Sequence, residues 1–124
     1  MSRLQVYTAF ASYRAKDKLD VSRKSGVDAF APSWRLLNPF LTLRKGVGLV
    51  DADWDKYVAD YKAEMRESYG MRSKRPIWDE LLSRQVVTLT CYCKRPEQCH
   101  RSVLGEILEK LGADFIGEHQ GLLF

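Results

Sequence analysis

The feature that most constrains the fold is a strand–helix–strand pattern near the C-terminus. Residues 85–92, QVVTLTCY, are rich in β-branched side chains, which is typical of a buried strand. Residues 99–112, CHRSVLGEILEKLG, repeat apolar side chains at helical spacing and end on Gly112. Residues 113–118, ADFIGE, predict the next strand. Because strands joined by a helix pair in parallel through a right-handed crossover, the pattern predicts an α/β fold.

The length of 124 residues suits one domain, spanning 1–124, with a mostly parallel sheet and helices packed on its faces. The other elements predicted, in chain order, are a strand at 3–9, a long loop at 10–32, a short helix at 33–38, a strand at 46–50 and helices at 53–69 and 76–84. We expect Ser33 to open the short helix and Pro39 to end it.

The helix at 53–69 has the clearest boundaries. Asp51 and Asp53 suit its N-cap, and Gly70 suits a left-handed stop after its last turn. Its apolar stripe predicts core packing, and consists of Trp54, Tyr57, Val58, Tyr61 and Met65. The helix at 76–84 has Pro76 at its first position, and its inward side chains are expected to be Ile77, Leu81 and Leu82.

The composition narrows the class of protein. Hydrophobic residues make up 45% and charged residues 29%, which is typical of a globular domain and excludes a disordered chain. No apolar run approaches the roughly 20 residues that span a bilayer, and the N-terminus lacks a signal-peptide layout. The three cysteines lie close together, without the spacing of a disulfide framework. We therefore expect a cytoplasmic protein that does not associate with membranes.

Cysteines and basic side chains meet at one predicted edge of the sheet. Cys91 lies near the end of the strand at 85–92, while Cys99, His100 and Arg101 open the next helix. Strand carboxyl ends and helix N-termini favour anionic ligands, and a helix N-terminus lowers the pKa of a nearby thiol. We accordingly expect Cys91 or Cys99 to supply a catalytic thiolate and His100 to carry the proton. Arg95 and Arg101 would bind the anion.

Two other interpretations of the cysteines stay open. Cys91, Cys93, Cys99 and His100 match the ligand types of a zinc site. Their spacing is unusual, and on a helix Cys99 and His100 would point about 100° apart, so no metal or other cofactor is expected and zinc is the alternative. The cysteines could equally be small core residues. The spacing of a Cys and an Arg typical of phosphatases is absent, since Glu97 follows Cys91 by six positions.

Several segments resemble the domain-of-unknown-function 488 family. LTCYCKRPEQCHRSVLGEIL is similar to the family's C-terminal motif, with Cys91, Cys99, His100 and Arg101 at matching positions. Four earlier segments also resemble the family: YTAFASY, VSRKSG, FAPSWRLL and DADWDKYVADYKAEM. The resemblance covers nearly the whole chain. The family often has Glu where this chain has Cys93, and the change replaces a carboxylate by a thiol.

The resemblance implies that distant residues share one site. If the first strand lies beside the strand at 85–92, two N-terminal loops would face the Cys-His-Arg helix start. The loop residues concerned are Ser22, Arg23, Ser33 and Trp34. Together with Arg95 and Arg101 they would bind a small anionic or nucleotide-like ligand. The net charge of +4 and the pI near 9.0 also allow a nucleic-acid-associated module. The third hypothesis is a zinc-stabilised structural or interaction protein. The sequence does not decide whether the protein is an enzyme, nor its oligomeric state.

Overall fold

The described part of the chain contains four strands and four α-helices. This computed structural model describes residues 3–45, 51–93 and 99–119, without the side chains of 43–45 and 51. The strands are β1 (Gln5–Phe10), β2 (Lys18–Asp20), β3 (Val86–Cys91) and β4 (Asp114–Glu118). The helices are α1 (Trp34–Lys45), α2 (Asp51–Gly70), α3 (Arg75–Leu82) and α4 (His100–Lys110), with a 3-10 turn at Asp28–Phe30.

The four strands form one parallel sheet in the order β2-β3-β1-β4. The predicted α/β class is thus confirmed, and β1 lies beside β3 with Gln5 opposite Val86 and Phe10 opposite Cys91. The crossover through α4 differs from the prediction, because β3 and β4 are not neighbours. Strand β1 lies between them and pairs with both.

The core lies between one face of the sheet and α4, and it continues to the 3-10 turn, α2 and α3 through Phe30, Tyr61 and Trp78. Val6 and Val87 are opposite each other on this face and fully buried, and Leu104 and Leu108 of α4 belong to the same cluster. At Gly105 the helix comes so close to β4 that an added Cβ would lie 2.6 Å from the ring of Phe115. This contact leaves room only for glycine and seats α4 closely on the sheet.

Loop residues pack on the opposite face. The ring of His119 stacks between those of Tyr7 and Tyr13, with centroid separations of 4.4 and 5.0 Å. The hydroxyl of Thr88 donates to Asp17 over 2.6 Å and lies 3.1 Å from Nε2 of His119. The segment between β1 and β2 therefore crosses this face.

Two predicted elements near the N-terminus needed correction. The predicted loop at 10–32 contains β2 and the 3-10 turn, which are too short to show a hydrophobic period. Helix α1 continues through Pro39, where the prediction ended it. Proline removes one backbone hydrogen bond, but Phe40 is buried and stacks on Tyr57 of α2 at 4.1 Å. This packing holds the helix together beyond the proline.

Helices α2 and α3 follow their predictions with local differences. The aromatic stripe of α2 is confirmed as core, with Tyr61 fully buried. Gly70 is the last residue of α2 and lacks the left-handed φ that was expected, whereas Gly112 closes α4 at φ 109° as predicted. In α3, Ile77 is exposed and Trp78 takes the inward position.

The predicted strand at 46–50 lies outside the described residues. Among the residues that are described, none of the helices is both long enough and apolar enough to span a lipid bilayer.

Candidate functional site

The three cysteines meet where β3 ends and α4 begins. Cys91 is the last residue of β3, and Cys99 is the residue immediately before α4. Both are almost fully buried, whereas Cys93 is half-buried, and none of them forms a disulfide. Their sulfur atoms all lie within 4.8 Å of one another. The strand–loop–helix connection thus brings together side chains that the sequence spacing separates.

Cys99 has an extended backbone, with φ −134° and ψ 144°. It is therefore the N-cap residue and not part of the helix. The expected divergence of about 100° between Cys99 and His100 applies only within a helix. Instead, Sγ of Cys99 lies 3.9 Å from Nδ1 of His100, so the two side chains converge.

His100 is held in one orientation by the main chain. Its Nε2 lies 2.7 Å from the carbonyl oxygen of Val21, which can only accept a hydrogen bond, so Nε2 carries a proton. Burial lowers the pKa of His100, which favours the neutral ring. Nδ1 then has a free lone pair, and it lies 3.9 Å from Sγ of both Cys91 and Cys99. This nitrogen faces the sulfur cluster as an acceptor or a metal ligand.

The pKa values of two of the three thiols, those of Cys91 and Cys99, are raised, which favours their protonated state. The contact with Cys93, together with burial, raises the pKa of Cys91 to about 11. Burial, followed by the hydrogen bond with Cys91, raises the pKa of Cys99 well above its usual value. Since the thiolate is the nucleophile, these directions oppose the activated thiolate expected at the helix start.

The spacing of the ligand atoms suits a tetrahedral zinc ion. With Zn–S bonds of about 2.3 Å, tetrahedral sulfur ligands lie about 3.8 Å apart. Sγ of Cys91 and Cys93 are 4.0 Å apart. The imidazole nitrogen is at 3.9 Å from two of the sulfurs. The three sulfurs thus lie close to the spacing of a zinc site, whereas Nδ1 of His100 is near only two of them and would have to approach Cys93 to become the fourth ligand.

Arg101 is fully buried, although the sequence suggested a residue that binds a ligand anion. Its Nε and Nη2 donate to the two carboxylate oxygens of Glu118, at 3.2 and 2.9 Å. Its Nη1 donates to the carbonyl oxygen of Cys93 at 2.7 Å. The guanidinium therefore contacts protein groups on the side where a ligand was expected.

The structure brings one of the two expected N-terminal loops to the cysteines. Val21 accepts the hydrogen bond from His100, and Ser22 follows it. The hydroxyl of Ser22 is buried and donates to Asp20 at 2.7 Å, which closes the turn. Ser25 of the same turn contacts the hydroxyl of Tyr92, at 3.3 Å.

Arg23 and Ser33 line a different cleft, of about 220 Å³, which we call the Arg23 cleft. No cysteine is among its lining residues. Arg23 pairs with Asp28, and the backbone N–H of Ser33 donates to Glu64 at 2.9 Å. The hydroxyl of Ser33 also donates to Glu64. The grouping that the resemblance implied is thus divided between two places.

Trp34 and Arg95 complete the predicted set. Trp34 is 51% exposed at the start of α1. Arg95 lies outside the described residues. Their roles in binding stay predictions.

Sequence reasoning missed Val21, Tyr61 and Glu118. The ring of Tyr61 packs edge-on against His100 with centroids 5.4 Å apart, and Glu118 pairs with Arg101. The sequence contained an indication of the role of Glu118. Arg101 lies on the same face of the helix as Leu104 and Leu108, so its charge would be buried and would need an acidic partner. The contact made by the Val21 carbonyl has no signature in the sequence.

Comparison with known families covers most of the chain. Residues 5–112 match the model of DUF488-N3a, described as the active DUF488-N3 subclade. No curated protein and no solved structure matches the chain significantly. The matched range includes the cysteine cluster, His100 and Arg101. With this match over most of its length, the chain belongs to the DUF488-N3a family.

Proposed function

We propose that this protein binds one zinc ion through the thiolates of Cys91, Cys93 and Cys99, with Nδ1 of His100 as the fourth ligand. The observation that carries the proposal is the convergence of three sulfur atoms within 4.8 Å beside a nitrogen 3.9 Å from two of them. Three cysteines and one histidine are a common ligand set of structural zinc sites.

The surroundings of His100 support this role. In zinc proteins the second ring nitrogen of a ligand histidine usually donates to a carboxylate or a carbonyl group, which fixes the tautomer. Nε2 of His100 meets this condition through Val21. Because the ring is oriented without the metal, it loses little freedom when the metal binds.

Zinc would also account for the thiol chemistry of the cluster. A zinc ion displaces the thiol protons, so three sulfurs can lie together as thiolates despite their burial. The ion would join the end of β3 to the start of α4, and so stabilise the carboxyl edge of the sheet. We therefore place this chain among proteins whose fold a bound metal stabilises.

The anionic or nucleotide-like ligand remains a less favoured hypothesis. It was based on the Cys-His-Arg helix start, with Arg101 as one of the anion-binding groups, and the guanidinium of Arg101 is fully buried against Glu118 and Cys93. The nucleic-acid alternative and the cytoplasmic location also stay predictions.

Native mass spectrometry of the full chain, purified after growth with added zinc, tests the proposal. We expect a native mass greater than the denatured mass by one zinc ion, less the protons released. X-ray absorption should then show three sulfur neighbours and one nitrogen neighbour.

The chain offers a matched control because it has two histidines. His100→Asn should weaken zinc binding, whereas His119→Asn changes a ring that stacks between Tyr7 and Tyr13 and should leave zinc binding intact. Equal native and denatured masses, even after incubation with excess zinc, would overturn the proposal.

A further inference from the structure

We infer that Arg101, Glu118 and Thr8 position the third sulfur ligand, Cys93, for the metal. The inference rests on the proposed zinc site and concerns which residues set its affinity. Nη1 of Arg101 donates to the backbone carbonyl of Cys93 at 2.7 Å. The same guanidinium binds both carboxylate oxygens of Glu118, and the hydroxyl of Thr8 donates to that carboxylate at 2.6 Å.

Cys93 is the cysteine that needs such support. Cys91 and Cys99 are placed by regular structure, since one ends β3 and the other caps α4. Cys93 lies two residues beyond the last paired residue of β3, and it is half-buried. The hydrogen bond from Arg101 ties its backbone to the first turn of α4, close to His100. This hydrogen bond is therefore one of the contacts that hold Cys93 beside Cys91, and it is one that a side chain supplies.

Strand β1 fixes the other end of this connection. Thr8 is fully buried in the central strand, and it pairs with Glu118 at the end of β4. The carboxylate of Glu118 is thus oriented before the metal arrives, and in turn it orients the guanidinium. Arginine suits the task because its planar group donates to a carboxylate and to a carbonyl in fixed directions, which lysine cannot do.

The test measures zinc affinity of Arg101→Lys in the full chain by competition with a coloured chelator. Outer hydrogen-bond partners of metal ligands change metal affinity about 10- to 100-fold, and we expect a loss in this range. Cobalt substitution supplies a second readout. The sulfur-to-cobalt charge-transfer band should weaken, because one thiolate is misplaced.

Arg84→Lys is the matched control. Arg84 also contacts both carboxylate oxygens of a glutamate, Glu80, but at the exposed end of α3. This variant should retain the zinc affinity and the cobalt spectrum of the wild type. If Arg101→Lys does not fold, Glu118→Gln is the second variant. It removes the negative charge of the partner of Arg101 but keeps the size of the side chain, and it should also lower the zinc affinity.

The outcomes separate this inference from the proposed function. Failure of the wild type to bind zinc overturns both. Another outcome is that the wild type binds zinc while Arg101→Lys and Glu118→Gln have zinc affinities within twofold of it and unchanged cobalt spectra. In that case the positioning role is wrong and the zinc site stands. Lower thermal stability of the metal-free variant with unchanged affinity would likewise overturn the inference, because it shows a purely structural role.

Discussion

The cysteine cluster and the Arg23 cleft both contain residues that the sequence assigned to one site, but they are organised differently. In the cluster, Cys91 and Cys99 are buried and His100 is held by a backbone carbonyl. In the cleft, Arg23 and Lys74 pair with Asp28, whose side chain is 61% exposed. Ion pairs between exposed groups contribute little and break easily. The difference shows that burial and a main-chain hydrogen bond fix the side chains of the cluster, whereas exposed ion pairs hold those of the cleft.

If the proposed zinc ion binds at the cluster, its removal should have the largest effect on stability. A ligand at a thousandfold excess over its Kd stabilises the folded state by about 4 kcal/mol. For a domain of this size, that corresponds to about 15 °C in Tm. We expect a chelator to lower the Tm of the zinc-loaded protein by about this amount, measured by circular dichroism. The Tm of the Cys91→Ser variant should not change when the chelator is added. A change in Tm below about 2 °C in the wild type would contradict the stabilising role of the cluster.

A substitution at the buried floor of the Arg23 cleft should have the second-largest effect on stability. Ser68 lines the cleft and is buried; its hydroxyl donates to the carbonyl of Ala29 at 2.7 Å and accepts from Nε1 of Trp78 at 3.0 Å. Ser68→Ala leaves both groups unpaired, and we expect a loss of about 2–4 kcal/mol in the free energy of unfolding by urea. Zinc stoichiometry should not change.

Ser83→Ala is the control for this loss. The hydroxyl of Ser83 also donates to a carbonyl, that of Glu80, at 2.6 Å, but in an exposed position. Ser83→Ala should change the free energy of unfolding by less than about 0.5 kcal/mol. Equal costs for the two serines would show that burial does not distinguish the cleft floor from the surface.

A substitution at the exposed rim of the cleft, formed by Asp28 with Arg23 and Lys74, should have the smallest effect on stability. Hydrogen bonds from Arg23, and then from Lys74, hold the pKa of Asp28 below its usual value. The carboxylate therefore stabilises the fold above its unfolded pKa of about 3.9, and this contribution disappears as pH falls through the lower folded-state pKa. Asp28→Asn should cost less than about 1 kcal/mol at pH 7 and nothing at about pH 2.

Urea unfolding at both pH values measures this difference. Asp79→Asn, which alters another exposed ion pair, with Arg75, is the control. A cost for Asp28→Asn as large as that of Ser68→Ala would show that the rim is not the weakly held region described above.

The parts of the site that lie in one strand–helix unit could be predicted from the sequence. The β-branched run of β3 and the apolar period of α4 are local patterns, and they locate Cys91, Cys99 and His100 at one edge. The side-chain directions could not be predicted, because they depend on the extended backbone of Cys99. That single conformation reverses the argument from helical spacing against a metal.

Long-range placements were harder for physical reasons. Strand β2 has three residues, too few to show a period, and α1 continues past Pro39 because Phe40 packs on α2. The position of β1 between β3 and β4 also depends on competition among strands that no local pattern reports. Only the whole fold showed that Arg101 and Glu118 are partners.

The strand order has a consequence for how the protein is made. Strand β1 is synthesised before the other described strands, yet both of its neighbours, β3 and β4, follow only after the whole of α1, α2 and α3. Loop closure over such distances slows folding, and an unpaired strand exposes apolar surface meanwhile. The nascent chain must therefore keep Val6 and its neighbours soluble until β3 and β4 have been synthesised. Translation, more than any single contact, sets the moment at which the sheet can form.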